Sequence, residues 1–253
     1  MYINLSGLNV LVTGASKGIG KAIASKLAEA GATVAVHYNK NMREAENLAH
    51  VLGNESKSFQ ADLSQPDAAA SLFDRVVLEM GSIEILINNA GVAESVAIDA
   101  KEAEWMEVWN KNIQVNLTSA GVLCKKVIEH FLKRKSAGRI INITSRSAFK
   151  GDTAEYMAYA ASKAGLVSLT KSIAGAYGKD GIKAFNIAPG FVRTDMARKI
   201  MEERGSEVAV EDIALERMTE PKDIAPLVTF LASGMADHAT GSTIDVNAGS
   251  YLR

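Results

Sequence analysis

Two tyrosines and a lysine stand at helical spacing in the segment AEYMAYAASKAG, residues 154–165. Tyr159 and Lys163 are four residues apart, so a helix places them on one face, one turn from each other. Tyr156 is seven residues from Lys163, which is about two turns or roughly 10 Å along a helix axis. The spacing therefore predicts that Tyr159, and not Tyr156, lies beside the lysine ammonium.

A phenol beside an ammonium is a candidate proton donor. A tyrosine with its ordinary pKa of about 10 is a poor acid–base group at neutral pH. An ammonium about 4 Å away contributes up to about 4 kcal/mol at an effective dielectric constant of about 20, equivalent to roughly three pKa units. The pair therefore predicts a lowered Tyr159 pKa and proton transfer. The alternative is an ordinary ion-pair spacing on a helix surface, which contributes only tenths of a kcal/mol.

A glycine-rich loop, TGASKGIG, follows the first apolar run of the chain. Gly14 permits a tight turn, whereas Gly18 and Gly20 let the backbone approach a pyrophosphate at the N-terminus of the next helix. The loop predicts a dinucleotide site. The alternative is a glycine-rich turn that binds nothing.

The end of the second strand lacks the acid that usually grips the ribose of NAD. Tyr38 stands where that acid would be, and Asn39 and Lys40 follow it. A missing carboxylate removes repulsion from a 2′-phosphate, and Lys17, Lys40 and Arg43 would attract one. This pattern favours NADP(H) over NAD(H). The alternative is that Lys40 and Arg43 are only the solvated start of a helix.

Two further strand ends carry polar residues. Asp62, followed by Leu63, can accept a hydrogen bond from an adenine amino group, although an Asp at this place is also a common helix cap. Asn89, Ala90 and Gly91 follow the fourth strand and suit ribose contact, or equally a plain turn.

Four motifs in the order TGASKGIG, NNAG, YAASK and APG resemble those of the short-chain dehydrogenases/reductases, and the resemblance covers essentially the whole chain. It implies a catalytic tetrad of Asn116, Ser145, Tyr159 and Lys163. In this family the serine hydrogen-bonds the substrate oxygen, the lysine binds nicotinamide ribose and the asparagine holds a water that links the lysine to solvent. Ser147 and Asn112 are the nearest alternatives to the matched serine and asparagine.

The same resemblance implies hydride transfer between nicotinamide C4 and a carbonyl carbon, with Tyr159 as the proton donor. The segment NIAPGFVRT is similar to the family's nicotinamide-binding segment. The cofactor-binding residues expected in total are Gly14, Ser16, Lys17, Gly18, Ile19, Gly20, Tyr38, Asn39, Lys40, Asp62, Leu63, Asn89, Ala90, Gly91, Tyr159, Lys163, Pro189, Gly190, Val192 and Thr194.

The layout and the tail TIDVNAGSYLR resemble bacterial 3-oxoacyl-acyl-carrier-protein reductases. The resemblance implies an acyl-carrier-linked substrate, although a reductase for a sugar, a steroid or a small diketone is an open alternative. A non-catalytic NADP-binding regulatory protein is a third. The family resemblance also implies a homotetramer built on the helices predicted over 102–134 and 153–178.

The family's carrier-docking arginines are absent at the corresponding positions, Ser136 and Asp180. A dense basic cluster stands close by, however, and predicts a docking surface for an acidic carrier at the mouth of the site. The alternative is a solvated helix end that favours cations. The cluster consists of Lys133, Arg134, Lys135 and Arg139.

These residues must be positioned by an alternation of short β-branched or apolar runs with longer helical patterns. Strands are predicted over 9–12, 33–37, 57–60, 83–87, 139–144, 183–187 and 243–246, and helices over 18–30, 42–52, 66–80, 102–134, 153–178 and 222–232. The alternation predicts one α/β domain over 1–253, a Rossmann-like doubly wound, mainly parallel seven-stranded sheet with helices on both faces. Ligands bind such a sheet at the carboxyl ends of its strands, and a variable segment near 197–216 is expected to cap the substrate.

Composition narrows the class of protein further. A formal net charge of -1 over 253 residues offers no bulk attraction for nucleic acid or an acidic membrane. The single cysteine, Cys124, excludes an internal disulfide and suits a reducing compartment. The four histidines are too far apart in sequence to form a local ligand pair. We therefore expect a cytoplasmic enzyme without a metal.

Overall fold

In the computed structural model, which describes residues 3–205 and 212–252, seven parallel strands form one sheet in the order β3-β2-β1-β4-β5-β6-β7. The strands are β1 (Asn9–Val12), β2 (Thr33–Tyr38), β3 (Lys57–Gln60), β4 (Ile85–Asn88), β5 (Gly138–Ile143), β6 (Ile182–Pro189) and β7 (Thr243–Val246). The helices are α1 (Gly18–Glu29), α2 (Met42–Leu52), α3 (Ala68–Met80), α4 (Glu102–Ile113), α5 (Ser119–Arg134), α6 (Ser147–Lys150), α7 (Met157–Tyr177), α8 (Asp195–Arg204) and α9 (Pro221–Ala232). The order reverses between β1 and β4, so the predicted doubly wound parallel sheet is confirmed.

Each face of the sheet packs on its own hydrophobic core. In β1, Val10 and Val12 belong to the core that includes Val228 of α9, whereas Leu11 belongs to the core that includes Leu72 of α3. Side chains alternate between the two faces of a strand, and helices cover both faces here. This two-sided burial explains why central strands such as β1 and β4 read as nearly continuous apolar runs in the sequence.

A row of buried asparagines crosses the sheet in the carboxyl-terminal halves of its central strands. Asn88, Asn142 and Asn186 stand opposite one another on β4, β5 and β6. The Asn88 amide donates to Asn142 Oδ1 at 2.8 Å, and the Asn142 amide donates to the Thr170 hydroxyl of α7 at 2.7 Å. A buried polar group left without a partner costs about 1–3 kcal/mol. The row therefore fixes the strand register directly below the residues that follow these strands.

The helix predicted over 102–134 is divided in the structure. A π-helical turn, Gln114–Thr118, separates α4 from α5. Within it the Asn116 amide donates to the Val92 carbonyl at 2.9 Å, and its Oδ1 accepts from the Val92 N–H at 2.8 Å. Hydrophobic periodicity cannot predict this turn, because the turn is held by contacts between Asn116 and Val92, which are distant in sequence. The helix predicted over 153–178 likewise begins with a 3-10 turn, Ala154–Tyr156, before α7.

The segment expected to cap the substrate, 197–216, begins inside a helix that the sequence analysis missed. α8 is charged along most of its length, reading DMARKIMEER, and Thr194 caps it by accepting a hydrogen bond from the Ala197 N–H at 3.3 Å. Residues 206–211 of the segment lie outside the described residues.

Candidate active site

Two adjoining cavities lie at the carboxyl ends of the strands. One has a volume of about 520 Å³ and is lined by Tyr159 and Lys163. The other has a volume of about 980 Å³ and is lined by the glycine-rich loop and the end of β2. Ile19, Asn89 and Thr194 line both. The structure brings the predicted site residues together here, and all of them except Gly20 and Asn116 line one of the two cavities.

Tyr159 and Lys163 lie one turn apart on α7, and both face the smaller cavity. The Lys163 ammonium is 5.9 Å from the centroid of the Tyr159 ring, and it donates to the Ile143 carbonyl at the end of β5 at 2.9 Å. Tyr156 is buried, and its hydroxyl donates to Glu203 at 3.0 Å. The geometry thus separates the two tyrosines in the way that the spacing predicts.

The electrostatics of this pair differ from the sequence prediction in one respect. Burial raises the pKa of Tyr159, a hydrogen bond with Ser145 lowers it, and the Asp152 carboxylate raises it further. Burial also lowers the pKa of Lys163 to about 8. The predicted lowering of the Tyr159 pKa is therefore wrong for the chain by itself, because desolvation raises the pKa by more than the Ser145 hydrogen bond lowers it. A raised pKa keeps the phenol protonated and able to donate.

Ser145 and Ser147 have different partners, which separates these two candidates. Ser145 follows β5 and hydrogen-bonds Tyr159. The Ser147 hydroxyl donates instead to Asp152 Oδ2 at 2.6 Å, and the Ser147 N–H donates to Ser145 Oγ at 3.1 Å. Ser145 therefore shares a hydrogen bond with the candidate proton donor, whereas Ser147 orients the loop around it.

Asn116 lies behind the site rather than in its wall. Besides Val92, its amide donates to the Ser162 hydroxyl at 3.0 Å. A Cβ added to Gly91 would lie 3.2 Å from Asn116 Oδ1 and 3.3 Å from Lys163 Nζ, so all three residues meet at one point. Asn112 bonds the Val108 and Glu94 carbonyls at 2.9 and 3.1 Å instead. Asn116 is thus the asparagine placed next to the lysine.

The glycine-rich loop packs closely against Asn89 and Ala90, which follow β4. Gly14 and Gly18 have φ values of +62° and +56°, which other residues adopt at a cost. The Gly14 N–H donates to Nδ1 of His37 at 2.9 Å, and His37 Nε2 bonds the Ala61 carbonyl at 3.1 Å. Burial lowers the pKa of His37 to about 4, so the ring is neutral and can accept at Nδ1. His37 is not among the residues predicted from the sequence. Its place just before Tyr38, a predicted cofactor position, was the signal for it.

Replacing Gly20 by alanine is expected to abolish dinucleotide binding and to lower the melting temperature. The added Cβ would overlap the carbonyl oxygen of Gly14 and lie 2.5 Å from the Asn89 amide, so the loop must move. Gly175→Ala is the matched control, because Gly175 lies in α7 with nothing within 4 Å of an added Cβ. Thermal melts and NADPH fluorescence titrations check both variants. Normal binding in Gly20→Ala would show that the loop does not hold the nucleotide as described.

At the end of β2 the larger cavity is bordered by polar and basic groups. Tyr38 is buried, and Asn39 and Lys40 are exposed. Lys17 forms an ion pair with Asp195 at 2.9 Å, which joins the glycine-rich loop to α8. Asp62 accepts from the Ser64 hydroxyl at 2.7 Å, and these contacts with Ser64 lower the pKa of Asp62. Asp62 therefore shapes the turn after β3 while it lines the cavity.

The segment after β6 forms the wall between the cavities. Pro189 ends β6, and Gly190 packs so closely on Asn247 that an added Cβ would lie 2.9 Å from its Cβ. Val192 pairs with Thr219, and Thr194 caps α8. The glycine-rich loop lies at the N-terminus of α1 and lines the larger cavity. This arrangement suits a dinucleotide in extended form. The residues present thus fit a nicotinamide dinucleotide.

The basic cluster before β5 lies at the opposite edge of the sheet. α5 ends at Arg134, and β5 begins at Gly138, so this cluster stands at the amino ends of the strands. Arg134 pairs with Glu84 at 2.8 Å, and Arg139 pairs with Asp237 at 2.9 Å. The expectation that the cluster lies at the mouth of the site is wrong within one chain. Strand direction places it at the far edge, and two of its four charges are neutralised.

Several polar side chains of the smaller cavity are also absent from the residues predicted from the sequence. Arg146 follows Ser145 directly, and Lys150 and Asp152 lie on either side of the turn that ends α6. Their proximity to the matched serine was the signal for them. Among the described residues there is no group of three or more histidines, cysteines or acids that would hold a metal. No helix in the described part of the chain has the length and hydropathy needed to cross a bilayer.

The fold and the site define a dinucleotide-dependent oxidoreductase, and comparisons with known proteins agree. The model of the family described as enoyl-(acyl carrier protein) reductase, one of the short-chain dehydrogenase/reductase models, matches residues 14–251. The chain belongs to the short-chain dehydrogenase/reductase family. It is an oxidoreductase that acts on CH–OH/C=O groups and uses a nicotinamide cofactor.

Curated relatives match the chain over nearly its whole length. It is 36% identical to 3-oxoacyl-[acyl-carrier-protein] reductase FabG of Vibrio cholerae, over 99% of this chain and 100% of the relative. It is 35% identical to 3beta-hydroxysteroid dehydrogenase 1 of Eggerthella lenta, over 100% of this chain and 97% of the relative. A putative NAD(P) dependent gluconate 5-dehydrogenase from Beutenbergia cavernae, solved with NADP at low occupancy, superimposes with a TM-score of 0.89 at 29% identity over 99% of each chain.

Proposed function

We propose that this protein is an NADP(H)-dependent carbonyl reductase that reduces a 3-oxoacyl substrate to the 3-hydroxyacyl product. The proposal rests on one observation. Tyr159 is hydrogen-bonded to Ser145, lies one helical turn from Lys163 and faces the smaller cavity, which adjoins the larger cavity lined by the glycine-rich loop. Its relatives named 3-oxoacyl-[acyl-carrier-protein] reductase support the 3-oxoacyl substrate and its link to an acyl carrier.

The bound nicotinamide would supply the hydride to the carbonyl carbon. Ser145 donates a hydrogen bond to the carbonyl oxygen and so stabilises the negative charge that develops there. Tyr159 gives its proton to the same oxygen, and its raised pKa keeps that proton in place until charge develops. Lys163, which donates to the Ile143 carbonyl, stabilises the phenolate that remains. It would also bind the nicotinamide ribose, as the family resemblance implies. Asn116 holds the backbone of Val92 beside this lysine.

Changing Tyr38 to aspartate is expected to narrow or reverse a preference for NADPH over NADH. The end of β2 holds no carboxylate of its own, and Lys17 and Lys40 border the same cavity. A new carboxylate would repel a 2′-phosphate and accept from a ribose hydroxyl. Because Tyr38 is buried, Tyr38→Asn is the matched control: it makes the same loss of volume without the charge.

Dissociation constants from NADPH and NADH fluorescence and the ratio of the two kcat/KM values test this preference. The ratio should fall by about tenfold or more in Tyr38→Asp relative to Tyr38→Asn, since like charges within a few ångströms cost on the order of 1–4 kcal/mol. Equal efficiency of the wild type with both cofactors would contradict the proposed preference.

The proposed reaction is tested by following the loss of NADPH absorbance with a panel of ketones. The panel contains a 3-oxoacyl thioester, a 3-oxosteroid, a keto sugar and a small diketone. The proposed function requires the highest kcat/KM for the 3-oxoacyl thioester. A steroid or a sugar is the second candidate, because relatives named for a hydroxysteroid and for gluconate match the chain over its length.

We also propose a homotetramer in the cytoplasm, in line with the family resemblance. Trp105 and Trp109 of α4 stack on each other at 5.0 Å, and Met106 between them is 40% exposed. Aromatic and methionine side chains are enriched at subunit interfaces. These contacts support α4 as part of an interface between copies of the chain.

A further inference from the structure

Two cations in the smaller cavity have no part in the carbonyl reduction proposed above. Arg146 follows Ser145, and Lys150 ends α6; both line the cavity together with Tyr159. We propose that Arg146 and Lys150 bind a carboxylate of the substrate, so that the substrate is a 3-oxoacyl compound whose acyl chain ends in a carboxylate. This inference rests on the proposed function and adds the chemistry at the far end of the substrate.

Arg146 carries a partly buried guanidinium that has few partners among the described residues. Its side chain is 12% exposed, and its guanidinium carbon lies 5.1 Å from the centroid of the Phe191 ring. Its polar contacts within the described residues are the Ser250 carbonyl at 3.5 Å and Asp212 at 3.8 Å. A guanidinium has five N–H donors, and a buried charge is stable only when it is paired. Most of these donors are therefore available to a ligand in the cavity.

Asp212 does not neutralise both cations. Its carboxylate lies 2.8 Å from Lys150 Nζ but 3.8 Å from Arg146, and its side chain is 47% exposed. Among the described residues, Asp212 is thus the one carboxylate that forms an ion pair with either cation, and it lies closer to Lys150. A planar carboxylate matches the geometry of a guanidinium with two parallel hydrogen bonds. A substrate carboxylate would complete the pairing of Arg146.

The remaining acid of the cavity favours one orientation of such a substrate. Asp152 lies close enough to Tyr159 to raise the pKa of the tyrosine. The Asp152 carboxylate accepts hydrogen bonds from the Ser147 hydroxyl at 2.6 Å and from the Thr153 N–H at 2.9 Å. Its charge repels a substrate carboxylate from the side of Tyr159. The carboxylate is drawn to the cations instead, and the 3-oxo group is left to face Ser145 and Tyr159. An apolar acyl end or a steroid would desolvate Arg146 without pairing it.

Three thioesters of N-acetylcysteamine test the proposal, because they differ only at the far end of the acyl chain. They are the 3-oxohexanoyl thioester, the 3-oxoadipoyl thioester with a free terminal carboxylate, and the methyl ester of the latter. The wild type should show a kcat/KM about 10- to 100-fold higher for the free carboxylate than for either neutral compound, the range expected for a hydrogen-bonded charge pair.

Arg146→Gln should remove this preference by raising KM for the carboxylate substrate, while both neutral substrates keep their kcat/KM within about threefold. Lys150→Gln should weaken the preference to a smaller extent. Lys26→Gln is the matched control, since Lys26 and Lys150 are similarly exposed, at 47% and 45%, and each forms an ion pair of 2.8 Å. NADPH fluorescence titration and thermal melts verify that the variants fold.

The outcomes separate this inference from the function on which it rests. Equal efficiency of the wild type with all three thioesters overturns the carboxylate proposal and leaves 3-oxoacyl reduction intact. A preference that persists in Arg146→Gln overturns the assignment to this residue. If the wild type reduces none of the three, the proposed function and this inference fail together.

Discussion

Phenylalanine in place of Tyr159 should lower kcat for carbonyl reduction by about 1000-fold, a loss typical of removing a general acid. The variant keeps the ring that fills the wall of the cavity and loses only the hydroxyl that hydrogen-bonds Ser145. NADPH affinity should therefore change by less than about threefold. Steady-state kinetics and NADPH fluorescence titration measure the two quantities on the same preparation.

Tyr156→Phe is the control for the loss of a buried tyrosine hydroxyl on the same segment. That hydroxyl donates to Glu203 at 3.0 Å and has no part in the proposed proton transfer. The change should lower stability by about 1 kcal/mol and leave kcat within about threefold of the wild type. Loss of turnover in Tyr156→Phe with activity kept in Tyr159→Phe would overturn the assignment of the two tyrosines.

Lys163→Met is expected to lower kcat/KM by about 100-fold or more and to weaken NADPH binding. Methionine approximates the length and volume of the lysine stem but cannot stabilise the phenolate or donate to a ribose hydroxyl. Both kcat and the dissociation constant of NADPH should change, whereas Tyr159→Phe changes kcat alone. Unaltered NADPH binding in Lys163→Met would contradict the dual role given to this residue.

The same variant has a stability readout that does not depend on turnover. Burial lowers the pKa of Lys163 from 10.5 to about 8, so between pH 8 and 10.5 the unfolded chain binds more protons at this residue than the folded chain. The free energy of unfolding of the wild type should rise through this window relative to that of Lys163→Met, because the penalty for burying the ammonium is present below pH 8 and is relieved above it. Urea unfolding of both proteins without nucleotide at pH 7 and pH 10 measures the difference. A constant difference would show that Lys163 is not buried as a titrating group.

The parts of the fold that the sequence predicts are those set by local pattern. Apolar runs separated by helical segments predict the parallel sheet, and strand ends alone place Gly14, Asn89 and Ser145 at one edge. The four-residue spacing of Tyr159 and Lys163 places them together because α7 is regular over Met157–Tyr177. Local periodicity is sufficient for each of these predictions.

The parts that the sequence could not predict depend on partners far apart in the chain. Lys17 pairs with Asp195, which is 178 residues away, and the π-helical turn at Asn116 depends on Val92. The raised pKa of Tyr159 is a property of burial, which periodicity does not quantify. The basic cluster could be placed only once the direction of β5 was known. The partners of Arg134 and Arg139 could be identified only from the tertiary structure.

The proposed function requires that hydride passes directly from the nicotinamide to the 3-oxo carbon in this protein. The most direct measurement is a single turnover of a 3-oxoacyl thioester with NADPH deuterated at C4 on one face or on the other, followed by mass spectrometry of the product. The expected 3-hydroxyacyl product carries one deuterium at C3 from one of the two labelled cofactors and none from the other. A product free of deuterium with both cofactors, or no product at all, would contradict the proposed function.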